Sequence, residues 1–111
     1  MGRKILLHDT RTGELRPIEP REPGRVGIYV CGPTVYGRIH VGNARPYVVF
    51  VLLKRFLAHH GYNVVLVTNV TDVNDKIYVA AREAGRPSAE LAVNLTEAYV
   101  ADTDRLGLGR R

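Results

Sequence analysis

Ile28-Tyr29-Val30-Cys31-Gly32-Pro33-Thr34-Val35-Tyr36-Gly37-Arg38-Ile39-His40-Val41-Gly42-Asn43, residues 28–43, passes from an apolar run through a cysteine and a turn-forming loop into a His-x-Gly-Asn segment. Residues 26–30 read as a buried strand, because short runs of β-branched and aromatic residues suit a pleated surface. Gly32-Pro33 stops that strand: glycine permits unusual dihedrals and proline donates no ladder hydrogen bond. The segment His40 to Asn43 opens a long helix, where unpaired N–H groups attract anions and Gly42 lets a flat ligand or a phosphate come near the backbone. A strand, a glycine-bearing loop and a helix N-terminus in succession predict a nucleotide pocket.

Outward from this stretch, residues 44–60 are expected to form the helix. Pro46 is placed in its first turn, Val48, Leu52, Arg55, Phe56 and His59 along one stripe, and Gly61 at its end. His59 and His60 fit the solvated end of that helix better than a ligand set. Residues 64–67, Val-Val-Leu-Val, form a continuous apolar run suited to a strand buried on both faces. Strand, helix and strand in this order predict a parallel crossover unit, whose ligands bind beyond the carboxyl ends of the strands. Cys31 and the block Asn69-Val70-Thr71-Asp72 both fall at those ends.

Residues 75–84 read as a further helix capped by Asp72 or Asn74, the cap being the preferred reading of Asp72. Gly85-Arg86-Pro87 breaks it, and Ser88 is placed to cap a last helix over residues 89–106, with Leu91, Leu95, Ala98, Tyr99 and Leu106 on one packed face. Residues 108–111 are expected to fray. Ahead of the decisive stretch, residues 4–7 and 14–18 flank a Gly13 turn and predict a β-hairpin, followed by a connector carrying Pro17, Pro20 and Pro23 that covers a sheet edge.

With 111 residues and 45% hydrophobic composition, the chain has the size of one small domain or part of a larger one. A formal net charge of +5 permits association with polyanions without requiring it. The single cysteine leaves no internal disulfide and fits a reducing cytoplasmic compartment. The apolar run at the start is too short for a signal peptide, and no stretch reaches membrane-spanning length.

The block YVCGPTVYGRIHVGNARPYVVF closely resembles the signature of the cysteinyl-tRNA synthetases, which are class I aminoacyl-tRNA synthetases. His40-Val41-Gly42-Asn43 is similar to the HIGH signature of that class, in the variant ending in Asn. The block LVTNVTDVNDKI resembles the family pattern NVTDIDDKI, and the cysteine nine residues before His40 strengthens the match. The resemblance implies an α/β fold: a partial Rossmann-like (HUP-type) parallel sheet with flanking helices. Here it would comprise an N-terminal β-hairpin and connector over residues 1–25 and the N-terminal half of the nucleotide-binding catalytic domain over residues 26–111.

By resemblance, the reaction joins cysteine to ATP as cysteinyl adenylate and then moves the cysteinyl group to tRNA(Cys). Charge builds on phosphate oxygens in the first step, so positioned donors matter more than a nucleophile. His40 and Asn43 take the catalytic donor roles, and Gly32, Thr34 and Gly42 complete the ATP or adenylate site. Asn69, Thr71 and Asp72 lie by family position near the bound cysteine, with Asp72 available to its ammonium group. Cys31 resembles the first zinc ligand of the family, where zinc selects the substrate thiolate over a hydroxyl.

Zinc takes about four ligands, and this sequence has neither a second cysteine nor histidines in matching positions. The isolated-residue alternative for Cys31 is a small buried thiol at a strand end. Val51 and Asn74 stand where the family usually carries Asp. A lysine loop resembling KMSKS and an anticodon-reading domain are absent from the 111 residues. The expectation is therefore a part of a cysteine-tRNA ligase, with a complementary C-terminal half as a partner. The alternatives are a non-catalytic fragment that binds RNA or another chain, and a related ligase joining cysteine to an amino sugar.

Overall fold

The computed structural model describes residues 4–108. They form an α/β arrangement of two small sheets and three helices in the order β1 (Leu6–Asp9), β2 (Glu14–Pro17), β3 (Arg25–Val30), α1 (Val41–His59), β4 (Asn63–Thr68), α2 (Asp75–Ala84) and α3 (Ser88–Arg105). Of residues 108–111, expected to fray, Leu108 is instead half-buried and donates its N–H to the Thr103 carbonyl at 2.9 Å, and the other three lie outside the described residues.

β1 and β2 pair as an antiparallel hairpin from Leu6 opposite Pro17 to Asp9 opposite Glu14. The first strand runs two residues later than the apolar pattern suggests. Asp9 fixes the turn: its side chain accepts the Arg11 N–H at 2.9 Å, and its carbonyl accepts the Gly13 N–H at 2.7 Å. Gly13 closes the turn at φ +71°, where a side chain would be strained.

β3 and β4 pair in parallel, in register from Arg25 with Asn63 to Val30 with Thr68, and α1 connects them. The crossover unit expected from the two apolar runs is thus present. Burial on both faces of β4 is not: Val65 and Val67 are 43% and 49% exposed, while Val64 and Leu66 alternate with them in half-buried positions. The sheet is covered on one side, which gives the alternation of a strand with one open face.

α1 departs from the sequence reading in three ways. It starts at Val41 rather than at residue 44, because His40 and Asn43 cap it. Pro46 consequently sits in the second turn, where it offers no N–H to the carbonyl of Gly42. Its buried residues are Ala44, Tyr47 and Leu57, whereas Val48, Leu52 and Phe56 of the expected stripe are exposed. A helix apolar on nearly every side carries little periodic information, and packing chooses the face. At its far end Gly61 has φ +93° and stops the helix, and exposed His59 lies in the last turn as expected.

α2 has the expected bounds. Its cap is Asn74, whose Oδ1 accepts the Lys76 N–H at 2.9 Å, and not Asp72. Gly85 ends the helix in the left-handed region at φ +67°. α3 has Ser88 as its first helical residue, with Pro87 at the cap position and no side-chain cap bond, so the capping role expected of Ser88 fails. Leu106 lies past the last turn and is 57% exposed, off the packed face. Val35, Ile77 and Ala92 form the buried cluster between the loop after β3, α2 and α3, with Val70 and Leu95 against it.

Candidate functional site

The loop leaving β3 is held against the segment leaving β4. Thr34 and Thr71 form an isolated parallel bridge: the Val35 N–H donates to the Thr71 carbonyl at 3.0 Å and the Thr71 N–H to the Pro33 carbonyl at 2.9 Å. The parallel ladder thereby continues past the end of the sheet, and the two distinctive sequence blocks lie side by side. The Gly32 N–H also donates to Asn69 Oδ1. A Cβ on Gly32 would lie 1.4 Å from the Asn69 carbonyl oxygen, so only glycine fits this approach. Sequence reading assigned Gly32 to strand termination and ligand binding; the structure adds a crossing of two backbones.

At the other end of the loop, the His-x-Gly-Asn segment is itself a capping box. His40 Nδ1 accepts the Gly42 N–H at 3.0 Å, and Asn43 Oδ1 accepts the His40 N–H at 3.2 Å. The imidazole folds over Gly42 so closely that a Cβ there would come within 2.9 Å of His40 Cε1. Gly42 therefore makes room first for the histidine ring. With Nδ1 used as an acceptor, the ring proton sits on Nε2, and the Asn43 Nδ2 group keeps its donors. Both project at the positive end of a 19-residue helix.

The flanks come from the helices. Val35 is 2% exposed and anchors the loop in the core, and the Lys76 ammonium lies 5.5 Å from the centroid of the Tyr36 ring. Arg38 reaches Asp102 of α3 at 2.7 Å. Tyr47 of α1 meets Tyr99 of α3 edge to face, ring centroids 5.8 Å apart. Tyr99 was expected on the packed face of the last helix, but none of these pairings was legible from sequence, since partners so far apart leave no local spacing to read.

Burial, with smaller contributions from Tyr99 and the Cys31 thiol, pushes the Tyr47 hydroxyl up from 10.0 to about 12. Burial also raises Tyr99, against a side-chain hydrogen bond with Thr68. A phenol whose folded value lies above its unfolded one adds stability that is whole below pH 10.0 and vanishes as pH climbs through about 12. Alkaline denaturation should accordingly show stability falling across that window, with a shallower fall in Tyr47→Phe; an unchanged slope in the variant would contradict the assignment.

Cys31, His40, Gly42, Asn43, Asn69 and Asp72 are exposed, and Gly32, Thr34 and Thr71 are half-buried. Cys31 is thus not the buried thiol considered from its strand position. Among the described residues no three His, Cys, Asp or Glu side chains gather where a metal could bind. Cys31 by itself supplies one of the about four ligands that zinc takes. Asp72 lines a groove of about 490 Å³ between α2 and α3 with Tyr78 and Thr96. A larger groove, about 630 Å³, lies between the hairpin connector, β3 and α1, around Ile18, Ile28 and Phe50. No described helix is long and apolar enough to cross a membrane.

Residues 17–111 match the family of tRNA synthetases class I (C) catalytic domain. The chain is similar to proteins named cysteine–tRNA ligase from Exiguobacterium sibiricum, at 47% identity over 104 residues, and from Geobacillus thermodenitrificans, at 48% over 103 residues. A cysteine–tRNA ligase of Anoxybacillus flavithermus is likewise 48% identical over 103 residues. These alignments cover 93–94% of this chain and 22% of each relative, so the chain spans about a fifth of the length of the curated proteins it matches.

Proposed function

Because the chain belongs to the family of class I (C) tRNA synthetase catalytic domains, we propose that it is the ATP-binding part of a cysteine–tRNA ligase, acting in the cytoplasm on cysteine, ATP and tRNA(Cys). The observation that carries this reading is the capping box at the head of α1, which holds the exposed His40 and Asn43 through Nδ1 and Oδ1 and does not use their Nε2 and Nδ2 donors. In this reading the described elements are the first strands and crossover helix of a Rossmann-like domain, preceded by the hairpin and connector of residues 1–25.

The reaction begins when the cysteine carboxylate attacks the α-phosphorus of ATP. A new C–O–P linkage forms, the bond to the bridging oxygen of pyrophosphate breaks, and the electron pair leaves with pyrophosphate. Negative charge builds on the phosphate oxygens along the way, and donors fixed beforehand stabilise it without reorganising. His40 Nε2 and Asn43 Nδ2 supply such donors, with the N-terminal dipole of α1 behind them. Gly32, Thr34 and Gly42 shape the adenylate side of the surface. Cys31, Asn69, Thr71 and Asp72 face the amino acid, and the Asp72 carboxylate suits its ammonium group. The tRNA acceptor hydroxyl then attacks the carbonyl carbon of the cysteinyl adenylate: the ester bond forms, the mixed-anhydride bond to phosphate breaks, and AMP leaves with the electron pair.

Titration of ATP and of a non-hydrolysable cysteinyl-adenylate analogue tests the site. Because His40 both caps α1 and points a donor outward, two variants are needed. His40→Asn keeps a good capping acceptor but lacks Nε2, whereas His40→Ala loses both functions. Each should bind ATP about ten- to a hundredfold more weakly, the size of a lost hydrogen bond to a charged group. Only His40→Ala should also lose helix stability, by about 1 kcal/mol. Affinity equal to wild type in His40→Asn would remove the histidine from the phosphate site.

A further inference from the structure

The loop between Val35 and His40 is anchored unevenly. Val35 is fixed at one end by the core and by Thr71, and His40 at the other by the cap. Between them the loop rests on two side-chain contacts: Tyr36 beneath Lys76, and Arg38 on Asp102. The Arg38–Asp102 pair bridges 64 positions of sequence. The ion pairs Arg16–Asp9, Arg25–Glu22 and Arg86–Glu90 instead join sequence neighbours or the two strands of the hairpin.

The face of α3 that receives Arg38 is also the face that touches α1. Tyr99 and Asp102 are one helical turn apart, so the residue that meets Tyr47 edge to face and the residue bound to Arg38 lie on one surface. α3 is tied again at its end, where the Arg55 guanidinium donates to the Gly107 carbonyl at 2.9 Å. The helix, which packs on α2, thus meets α1 at Tyr99 and just past its own end at Gly107, with the Arg38 contact at Asp102 between them.

We propose that Arg38 is a positioning residue, its ion pair with Asp102 holding the loop so that His40 and Asn43 present their donors to a phosphate anion. The inference rests on the phosphate-site reading above. An exposed ion pair contributes little to global stability because water and salt screen it. It can nonetheless fix a short loop whose other anchors lie at its ends, and small displacements of positioned donors are costly to anion recognition.

The test uses the whole chain with Arg38→Ala, Arg38→Lys, Asp102→Asn and the exchanged pair Arg38→Asp with Asp102→Arg. Amide exchange over residues 36–43 is followed together with the affinities for ATP and for adenosine. Arg38→Ala and Asp102→Asn should speed exchange in the loop and weaken ATP binding about three- to tenfold, leaving adenosine binding unchanged. Their melting temperature should fall by no more than about 4 °C. Arg38→Lys and the exchanged pair should restore part of both losses.

Unchanged exchange and unchanged ATP affinity in both single variants would overturn the assignment. Equal losses for ATP and adenosine, accompanied by a large drop in melting temperature, would also overturn it, since they would show a structural role only. If the wild-type chain binds no ATP, the phosphate-site reading fails, and the exchange data still decide whether the ion pair orders the loop.

Discussion

The Gly32→Ala protein is expected to lose about 3 kcal/mol or more of folding stability, at the upper end of what overpacking costs. The added Cβ would sit 1.4 Å from the carbonyl oxygen and 2.6 Å from the carbonyl carbon of Asn69. Both obstructing atoms are backbone, so no rotamer change relieves the clash. One chain must retreat, and the Gly32 N–H to Asn69 Oδ1 bond goes first. The bonds between Val35 and Thr71 and between Thr71 and Pro33 follow, because they belong to the same two crossing segments. A domain of this size has about 5–15 kcal/mol in hand, so the variant should unfold at markedly lower urea. Gly37→Ala is the control: a Cβ there meets nothing within 4 Å, and its effect should stay within about 0.5 kcal/mol. Coincident unfolding midpoints for the two variants would disprove the close approach.

The same residues show where sequence carries structural information and where it does not. The strand–helix–strand unit was readable because apolar runs, a proline and helix-stopping glycines act locally. The bounds of α2 were readable for the same reason, with Asn74 and Gly85 at its ends. The buried side of α1 was not. Residues 47–53 are all aromatic or aliphatic, so any stripe drawn on them is apolar, and the choice of Ala44, Tyr47 and Leu57 depends on what lies beneath. Asp72 and Asn74 each offer a capping oxygen just ahead of the helix, and the coordinates show that Asn74 Oδ1 is the one that takes the Lys76 N–H.

The site divides along the same line. The distinctive blocks singled out Cys31, Gly32, Thr34, His40, Gly42, Asn43, Asn69, Thr71 and Asp72 as candidates, and the parallel register brings the two blocks together beyond the sheet. How each side chain is used required coordinates. The histidine and asparagine of the signature satisfy each other's helix end before they meet any ligand. Arg38 and Asp102, or Tyr47 and Tyr99, have no spacing that links them in sequence. A capping box made from candidate catalytic groups also explains why these groups are held in place without substrate: the helix terminus itself fixes Nδ1 and Oδ1 and leaves the Nε2 and Nδ2 donors out of the cap.

Ile77→Ala should cost about 2–5 kcal/mol and should loosen the signature loop more than its global effect accounts for. Ile77 is 0% exposed and packs with Val35 and Ala92, so trimming it to a methyl opens a cavity against the one loop residue rooted in the core. Leu57→Ala provides the comparison. Leu57 is as deeply buried, at 1%, yet it lies near the far end of α1 and lines the groove by the connector, away from Val35. The two variants should lose similar stability, since each removes a large buried aliphatic group. They should differ in amide exchange at Val35 and Thr71, whose backbone bonds join the two blocks. In Ile77→Ala those amides should exchange faster relative to the α1 interior, and in Leu57→Ala they should keep their wild-type ranking. Ile77→Val, at about 0.5–1.5 kcal/mol, should show the same local pattern on a smaller scale. Matching exchange profiles in Ile77→Ala and Leu57→Ala would mean that the loop opens only with the whole domain; a difference confined to the loop would identify Val35, and through it the core, as what keeps the cap and its donors in register with the second block.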